Sequence, residues 1–149
     1  MGLNDFTITK ERALPIFVLA DTSGSMTGEK IQAVNKAIND MINTLRNVDD
    51  IRGVFKLSII TFGGDKVEVQ QQPTDVHEIQ FQELTASGKT PMGEAIKEMA
   101  KMIEDRSVVK SSDYLPTVVL LSDGYPTDFT GSREAIKFRR ILIRMEIFV

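Results

Sequence analysis

Residues 14–25 read L-P-I-F-V-L-A-D-T-S-G-S, and the fold depends on how that stretch is read. The apolar run from Leu14 to Ala20 is too continuous for a half-exposed strand. It suits a strand buried on both faces, as in a parallel sheet, ending at Asp21. The next residues, D-T-S-G-S-M-T-G-E, are turn chemistry. Further out, Ile31, Val34, Ile38, Met41, Ile42 and Leu45 recur every three or four positions and predict a helix from Glu29 to about Arg46. V-F-K-L-S-I-I-T-F, residues 54–62, reads as a second central strand ending at Gly63-Gly64. Lys66–Gln71 is short, polar and alternating, which fits an edge strand joined by a hairpin.

Residues 73–89 show no clear periodicity and are read as a long connection. Thr90-Pro91 has the form of a helix start, with Thr as cap and Pro at the first helical position. Met92, Ala95, Ile96, Met99, Met102 and Ile103 then give an apolar helix face to about Arg106. L-P-T-V-V-L-L-S-D-G, residues 115–124, is a third buried strand, again ending in acid and glycine. In the tail, Ala135, Phe138, Ile141, Leu142 and Met145 fit helical spacing, yet I-L-I-R-M-E-I-F-V alone passes as a strand. The pattern predicts a helix from about residue 132 that breaks into a strand near Ile141. The order β-α-β-β-α-β predicts an α/β fold: a Rossmann-like, doubly wound, mostly parallel sheet with an antiparallel edge strand and helices on both faces. One domain spans 1–149, with a lead-in at 1–13 and a tail at 141–149.

Composition removes several function classes. The chain has 149 residues, 42 % hydrophobic and 26 % charged, so it is globular rather than disordered. With no cysteine, disulfide scaffolds, Cys-ligated zinc, iron–sulfur clusters and thiol nucleophiles are excluded. The single histidine, His77, cannot build a multi-histidine metal site and reads as a surface residue. A net charge of -3 argues against broad attraction to nucleic acid or an anionic membrane. No apolar run approaches the ~20 residues that span a bilayer, and no targeting signal is visible, so a soluble cytoplasmic domain is expected.

Three segments carry chemistry: Asp21-Thr22-Ser23-Gly24-Ser25 after the first strand, Gly88-Lys89-Thr90-Pro91 before the second helix, and Ser122-Asp123-Gly124 after the third strand. Ligands of doubly wound sheets bind where the carboxyl ends of neighbouring strands converge at the switch point. If the strands ending at Asp21 and Asp123 are adjacent, two carboxylates and several hydroxyls meet in one crevice. All are hard oxygen donors, the set that suits Mg²⁺ or Mn²⁺.

D-x-S-G-S (Asp21, Ser23, Ser25), a Thr opening a later helix (Thr90) and an Asp-Gly after a strand (Asp123) resemble the metal-ion-dependent adhesion site of von Willebrand factor A domains. The likeness runs from residue 14 to about 130. S-D-G-Y-P-T-D resembles most the bacterial intracellular branch that includes tellurite-resistance-associated proteins. The resemblance implies that Ser23, Ser25 and Thr90 touch a Mg²⁺ or Mn²⁺ ion, while Asp21 and Asp123 hold it directly or through water. It implies further that a Glu or Asp of a protein partner completes the coordination, with a kinase or phosphatase of a stress or tellurite-resistance system among the partners by analogy. It implies no catalysis. The family usually continues for two more strands and helices, so a C-terminally shortened version is expected, with an open sheet edge through which a homodimer could form.

Plainer readings exist for each residue. Asp21 and Asp123 are common turn residues at strand ends; Ser23 and Ser25 could cap the following turn; Thr90 is a good cap in its own right. Capping does not explain why all of them occur together in this order. A metal-dependent phosphohydrolase would use the same oxygens, but where a phosphatase nucleophile of that type needs a second Asp two positions on, Ser23 stands. A fragment without metal function is the third alternative. Asp128 could order the loop after Asp123 or lie on the rim of the site.

Overall fold

The computed structural model describes residues 12–48, 53–89, 91–122 and 142–147. Strand β1, Arg12–Asp21, is the centre of a five-stranded sheet of order β3-β2-β1-β4-β5. It pairs in parallel with β2 (Gly53–Gly63) on one side, from Arg12↔Gly53 to Asp21↔Phe62. On the other side it pairs in parallel with β4 (Thr117–Ser122), from Ile16↔Thr117 to Ala20↔Leu121. The strand starts two residues before the apolar run, inside the expected lead-in, because polar contacts extend it. Arg12 Nε donates to the Ser112 carbonyl at 2.7 Å, its guanidinium lies 3.8 Å from the centre of the Tyr114 ring, and Ala13 N–H donates to Asp113 Oδ1.

Helix α1 spans Glu29–Arg46 and buries Ile31, Val34, Ile38 and Ile42, as the periodicity predicts. Helix α2 spans Met92–Glu104 and buries Met92, Ala95, Ile96, Met99 and Met102. It differs from the expectation at both ends. Pro91 is the cap residue, with φ -83° and ψ 60°, and its carbonyl accepts the first helical bond from Ala95 N–H at 3.1 Å. The helix stops short of Arg106 because the Asp105 carboxylate accepts both the amide and the hydroxyl of Ser107, which turns the chain. Those bonds also hold the Asp105 carboxyl below its ordinary range.

From β1 the chain crosses to β2 on one side and later to β4 on the other. Right-handed crossovers in opposite directions put their helices on opposite faces, and the cores show it. Phe17, Leu19, Ile60, Phe62, Val118 and Leu120 pack on the α2 face, while Val18, Ala20, Leu57, Ile59, Val119 and Leu121 pack on the α1 face. Each central strand thus contributes alternate residues to both cores, which is why β1 reads as unbroken apolar sequence. A fully buried side chain such as Phe17 contributes about 1.5–3 kcal/mol relative to exposure.

Strand β3, Lys66–Asp75, is the predicted antiparallel outer strand, joined to β2 through Gly64 (φ 59°) and Asp65 (φ 66°). Two consecutive left-handed residues are the geometry of a tight hairpin turn. The strand continues past Gln71 through register shifts between Leu57 and Ile60, and these break the alternation that marks a strand in sequence.

The aperiodic connection is firmly held. Val76 and Ile79 are buried in the α1-side core, with Phe81, Leu84 and Ala86 packed against it. Arg46 at the end of α1 donates to the carbonyls of Val76 (2.7 Å) and Ile79 (2.5 Å). Asn35, buried mid-helix, donates to the Leu84 carbonyl at 3.0 Å and accepts the Leu84 amide at 2.7 Å. Finally, β5 (Leu142–Ile147) pairs in parallel with β4 from Thr117↔Leu142 to Ser122↔Ile147. That agrees with a strand near Ile141, and it makes β4 an internal strand. The helix expected from about residue 132 and most of the lead-in lie outside the described residues. Among the described residues no helix is long and apolar enough to cross a membrane.

Candidate functional site

The switch point of the sheet lies at the carboxyl ends of β1 and β4, which are adjacent, as the metal reading requires. Asp21, the last residue of β1, is fully buried. Its Oδ1 accepts the Ser23 amide at 2.9 Å and its Oδ2 accepts the Ser122 hydroxyl at 2.8 Å. Both donors are neutral, and among the described residues no cationic side chain pairs with this carboxylate. Burying a charged carboxylate is costly without compensation. Two hydrogen bonds offset part of that cost, and a nearby cation would offset the rest.

Ser23 is buried and Ser25 exposed, and their hydroxyl oxygens lie 3.1 Å apart. Residues 24–26 form a single 3-10 turn, and the Ser23 side chain makes no capping bond to it. Instead Thr27 Oγ1 closes that turn by donating to the Gly24 carbonyl at 2.7 Å. Helix α1 has Gly28 as its cap residue, again without a side-chain cap bond. The capping role that competes with metal ligation is therefore not what these serines do. Asp21, Ser23 and Ser25 come together as one oxygen-lined corner open to solvent at Ser25.

Thr90 and Asp123, the other two candidates, and Asp128 lie outside the described residues. Their described neighbours converge on the same corner. Ser122, immediately before Asp123, bonds Asp21 directly. Gly88, two residues before Thr90, accepts the Gly24 amide at 2.8 Å, and Ser87 N–H donates to the Thr22 carbonyl at 2.7 Å. Gly64 N–H donates to the Ser87 carbonyl at 2.5 Å, and Lys89 N–H to Asp65 Oδ1 at 3.1 Å. The loops after β1 and β2 and the loop before α2 are thus knitted into one rim. Gly88 is required there: its φ is 69°, and a Cβ would come within 2.6 Å of Gly64 Cα. Ser122 and Gly88 stand inside the segments that sequence singles out, but spacing alone assigns neither a role. The clasp between Ser87 and Gly64 carries no signal, since backbone bonds between distant small residues leave no pattern in sequence.

His77 is exposed, with its ring nitrogen 2.9 Å from Asp75 Oδ1, and is tied to the end of β3. No group of three or more His, Cys, Asp or Glu side chains able to hold a metal occurs among the described residues. Among the described residues, the oxygen donors of this corner are the Asp21 carboxylate and the hydroxyls of Ser23 and Ser25.

The sequence profile of the von Willebrand factor type A domain matches residues 16–126. The fold is similar to that of the manganese-loaded TRAP protein of Plasmodium vivax, with a TM-score of 0.69 and 23 % identity, over 93 % of this chain and 57 % of that one. It is also similar to the pilus adhesin SpaC of Lactobacillus rhamnosus GG (TM-score 0.61, 16 % identity, 79 % of this chain and 16 % of that one). A third is proximal thread matrix protein 1 of the mussel byssus (0.63, 13 %, 92 % and 38 %). At these identities the likeness is one of fold. The chain spans 57 % of the TRAP chain and less of the other two. No curated protein matches the sequence significantly.

Proposed function

Because the chain belongs to the von Willebrand factor type A domain family, in which protein–protein interaction is the typical role, we propose that it is a metal-dependent protein-binding module. In this reading a Mg²⁺ or Mn²⁺ ion is held by Asp21, Ser23, Ser25, Thr90 and Asp123. One observation carries it: the buried Asp21 carboxylate has only neutral donors as partners among the described residues and lies beside two hydroxyls that cap nothing. Hard oxygen donors without soft ligands fit Mg²⁺ and Mn²⁺. The manganese reported with the TRAP protein supports a divalent ion as a ligand of this fold.

When bound, the ion supplies an electropositive point for a carboxylate of the partner. The chain's own residues do the rest. Ser122 and the Ser23 amide fix the Asp21 carboxylate, and hydroxyl-rich coordination leaves much of the ion's charge for the incoming Glu or Asp. Ser23 stands where a phosphatase would need a second Asp, so binding, not turnover, is the role proposed. The likeness of S-D-G-Y-P-T-D supports a kinase or phosphatase of a bacterial, cytoplasmic stress or tellurite-resistance system as the proposed partner. A homodimer would form through an outer strand of the sheet.

Pull-down with and without EDTA, together with calorimetric titration of Mg²⁺ and Mn²⁺ into wild type and Asp21→Ala, tests this. Expected are heat in wild type, none in the variant, and partners lost on chelation. Retention of the same partners after chelation, or phosphatase turnover abolished in Asp21→Ala, would overturn it.

A further inference from the structure

A polar cavity of about 260 Å³ opens beside Thr22, the residue between Asp21 and Ser23, at the β2–β3 end of the rim. Its lining includes Thr22, Thr61, Glu68, Gln70, Glu83 and Ser87. Both backbone polar atoms of Thr22 are engaged, its amide to the Phe62 carbonyl at 3.0 Å and its carbonyl by the Ser87 amide at 2.7 Å. The Thr22 hydroxyl has no hydrogen-bond partner among the described residues, although the residue is only 8 % exposed. An unpartnered hydroxyl buried to that degree is uncommon, because leaving such a group unsatisfied costs about 1–3 kcal/mol. It is the polar group Thr22 offers to the cavity.

The charges around the cavity are unequal. Lys66 and Glu68 form an ion pair, and Gln70 Nε2 donates to the other Glu68 oxygen at 2.6 Å. Lys66 keeps the Glu68 carboxyl below its ordinary range, so this pair is internally neutral. Glu83 lines the same space and pairs with no cation among the described residues, leaving the cavity lining one negative charge in excess. An unpartnered hydroxyl and a carboxylate without a cation among the described residues, both in the lining of one cavity, call for a cationic donor. A guanidinium, with five N–H donors in a planar fork, satisfies both at once.

We propose that this cavity is a subsite for a basic side chain, Arg before Lys, of the partner segment whose acidic residue meets the metal. The inference rests on the metal-bridged binding proposed above and adds what selects the partner: an acidic and a basic residue close together, read on either side of Thr22. The metal attracts any exposed carboxylate, and the cavity supplies the discrimination.

The test uses the ¹⁵N-labelled full chain and two probes, N-acetyl-arginine amide and the neutral N-acetyl-norleucine amide, without metal. Saturable amide shifts centred on Thr22, Thr61, Gly63 and Glu83 are expected with the arginine probe alone. Affinity should fall about fivefold in Glu83→Gln and in Thr22→Val, the loss of roughly one hydrogen bond each. Equal shifts with both probes, or unchanged affinity in both variants, would overturn the subsite. Mn²⁺ added to a separate sample reports the metal reading through broadening of the amides of residues 21–25. Broadening without arginine binding removes the subsite alone; arginine binding without broadening removes the metal bridge alone.

Discussion

Ser122 Oγ donates to Asp21 Oδ2 at 2.8 Å, joining the ends of two adjacent parallel strands whose residues are 101 positions apart in the chain. Both groups are buried, and the acceptor is a carboxylate, the stronger class of hydrogen bond. Ser122→Ala should therefore lose about 1.5–3 kcal/mol of stability, read as a lower urea midpoint with unchanged slope. A loss below ~0.5 kcal/mol, the range of ordinary surface substitutions, would show that this bond is not made.

Metal and stability are linked if Asp21 helps hold an ion. Mg²⁺ at a hundredfold excess over its dissociation constant should add about 2.7 kcal/mol to unfolding. EDTA should reverse the gain, and Asp21→Asn should show none. Scanning calorimetry with and without chelator checks all three.

Gly28 and Gly88 both have positive φ, 87° and 69°, but differ in surroundings. A Cβ on Gly28 meets nothing within 4 Å, so Gly28→Ala should cost only backbone strain, about 1–3 kcal/mol. On Gly88 a Cβ would strike the Gly64 backbone at 2.6 Å, adding overpacking of about 1–3 kcal/mol more. Gly88→Ala should be the worse of the two in denaturant melts, and the only one to weaken Mn²⁺ binding.

Asn35 is buried and spends its amide on both backbone groups of Leu84. Asn35→Leu would strand those groups, at about 1–3 kcal/mol each. Hydrogen exchange at the Leu84 amide should accelerate at least ~10-fold, the equivalent of 1.4 kcal/mol, with α1 amides much less affected. Uniform acceleration along the chain would mean that the contact is part of the global core instead.

The Asp75 carboxyl is held below its ordinary range chiefly by accepting the His77 amide, with the His77 side chain adding to it. A carboxyl depressed on folding stabilises the native state above its unfolded pKa and ceases to do so as pH falls through the folded one. Wild type should thus be more stable than Asp75→Ala at pH 6, and the gap should begin to shrink only as pH falls below the ordinary Asp pKa of about 3.9, closing below the depressed folded value. A gap that widens on acidification would contradict this.

Sequence periodicity was enough for the sheet and helices because burial is two-sided in β1, β2 and β4 and one-sided in α1 and α2. Leu14–Ala20 and Val118–Leu121 could only be internal strands, and the Ile31–Leu45 spacing fixed α1. The Asp21–Ser25 corner was legible for a related reason: an acid and two serines directly after a buried strand have few ways to avoid one another. What escaped was long-range and polar. Arg12 extends β1 through Ser112 and Tyr114, and the register shifts near Ile59 carry β3 on to Asp75. The clasps of Ser87, Gly88 and Gly64 and the Asn35–Leu84 pair join residues tens of positions apart through backbone atoms, which no composition or spacing encodes. The cavity beside Thr22 escaped likewise, since an unpartnered hydroxyl is recognised only once its neighbours are known.

The sheet order sets a sequence of events during synthesis. When the ribosome has released residues up to about 89, β1 can already zip to β2 and β2 to β3, but the other flank of β1 waits for Thr117–Ser122. For that interval a row of unpaired backbone N–H and C=O groups, on a strand rich in apolar side chains, faces water, the template on which nascent chains stick to one another. Asp21 cannot gain its Ser122 hydrogen bond until that strand arrives, so a half-made chain carries the hazard of its central strand before the surroundings of Asp21 are complete.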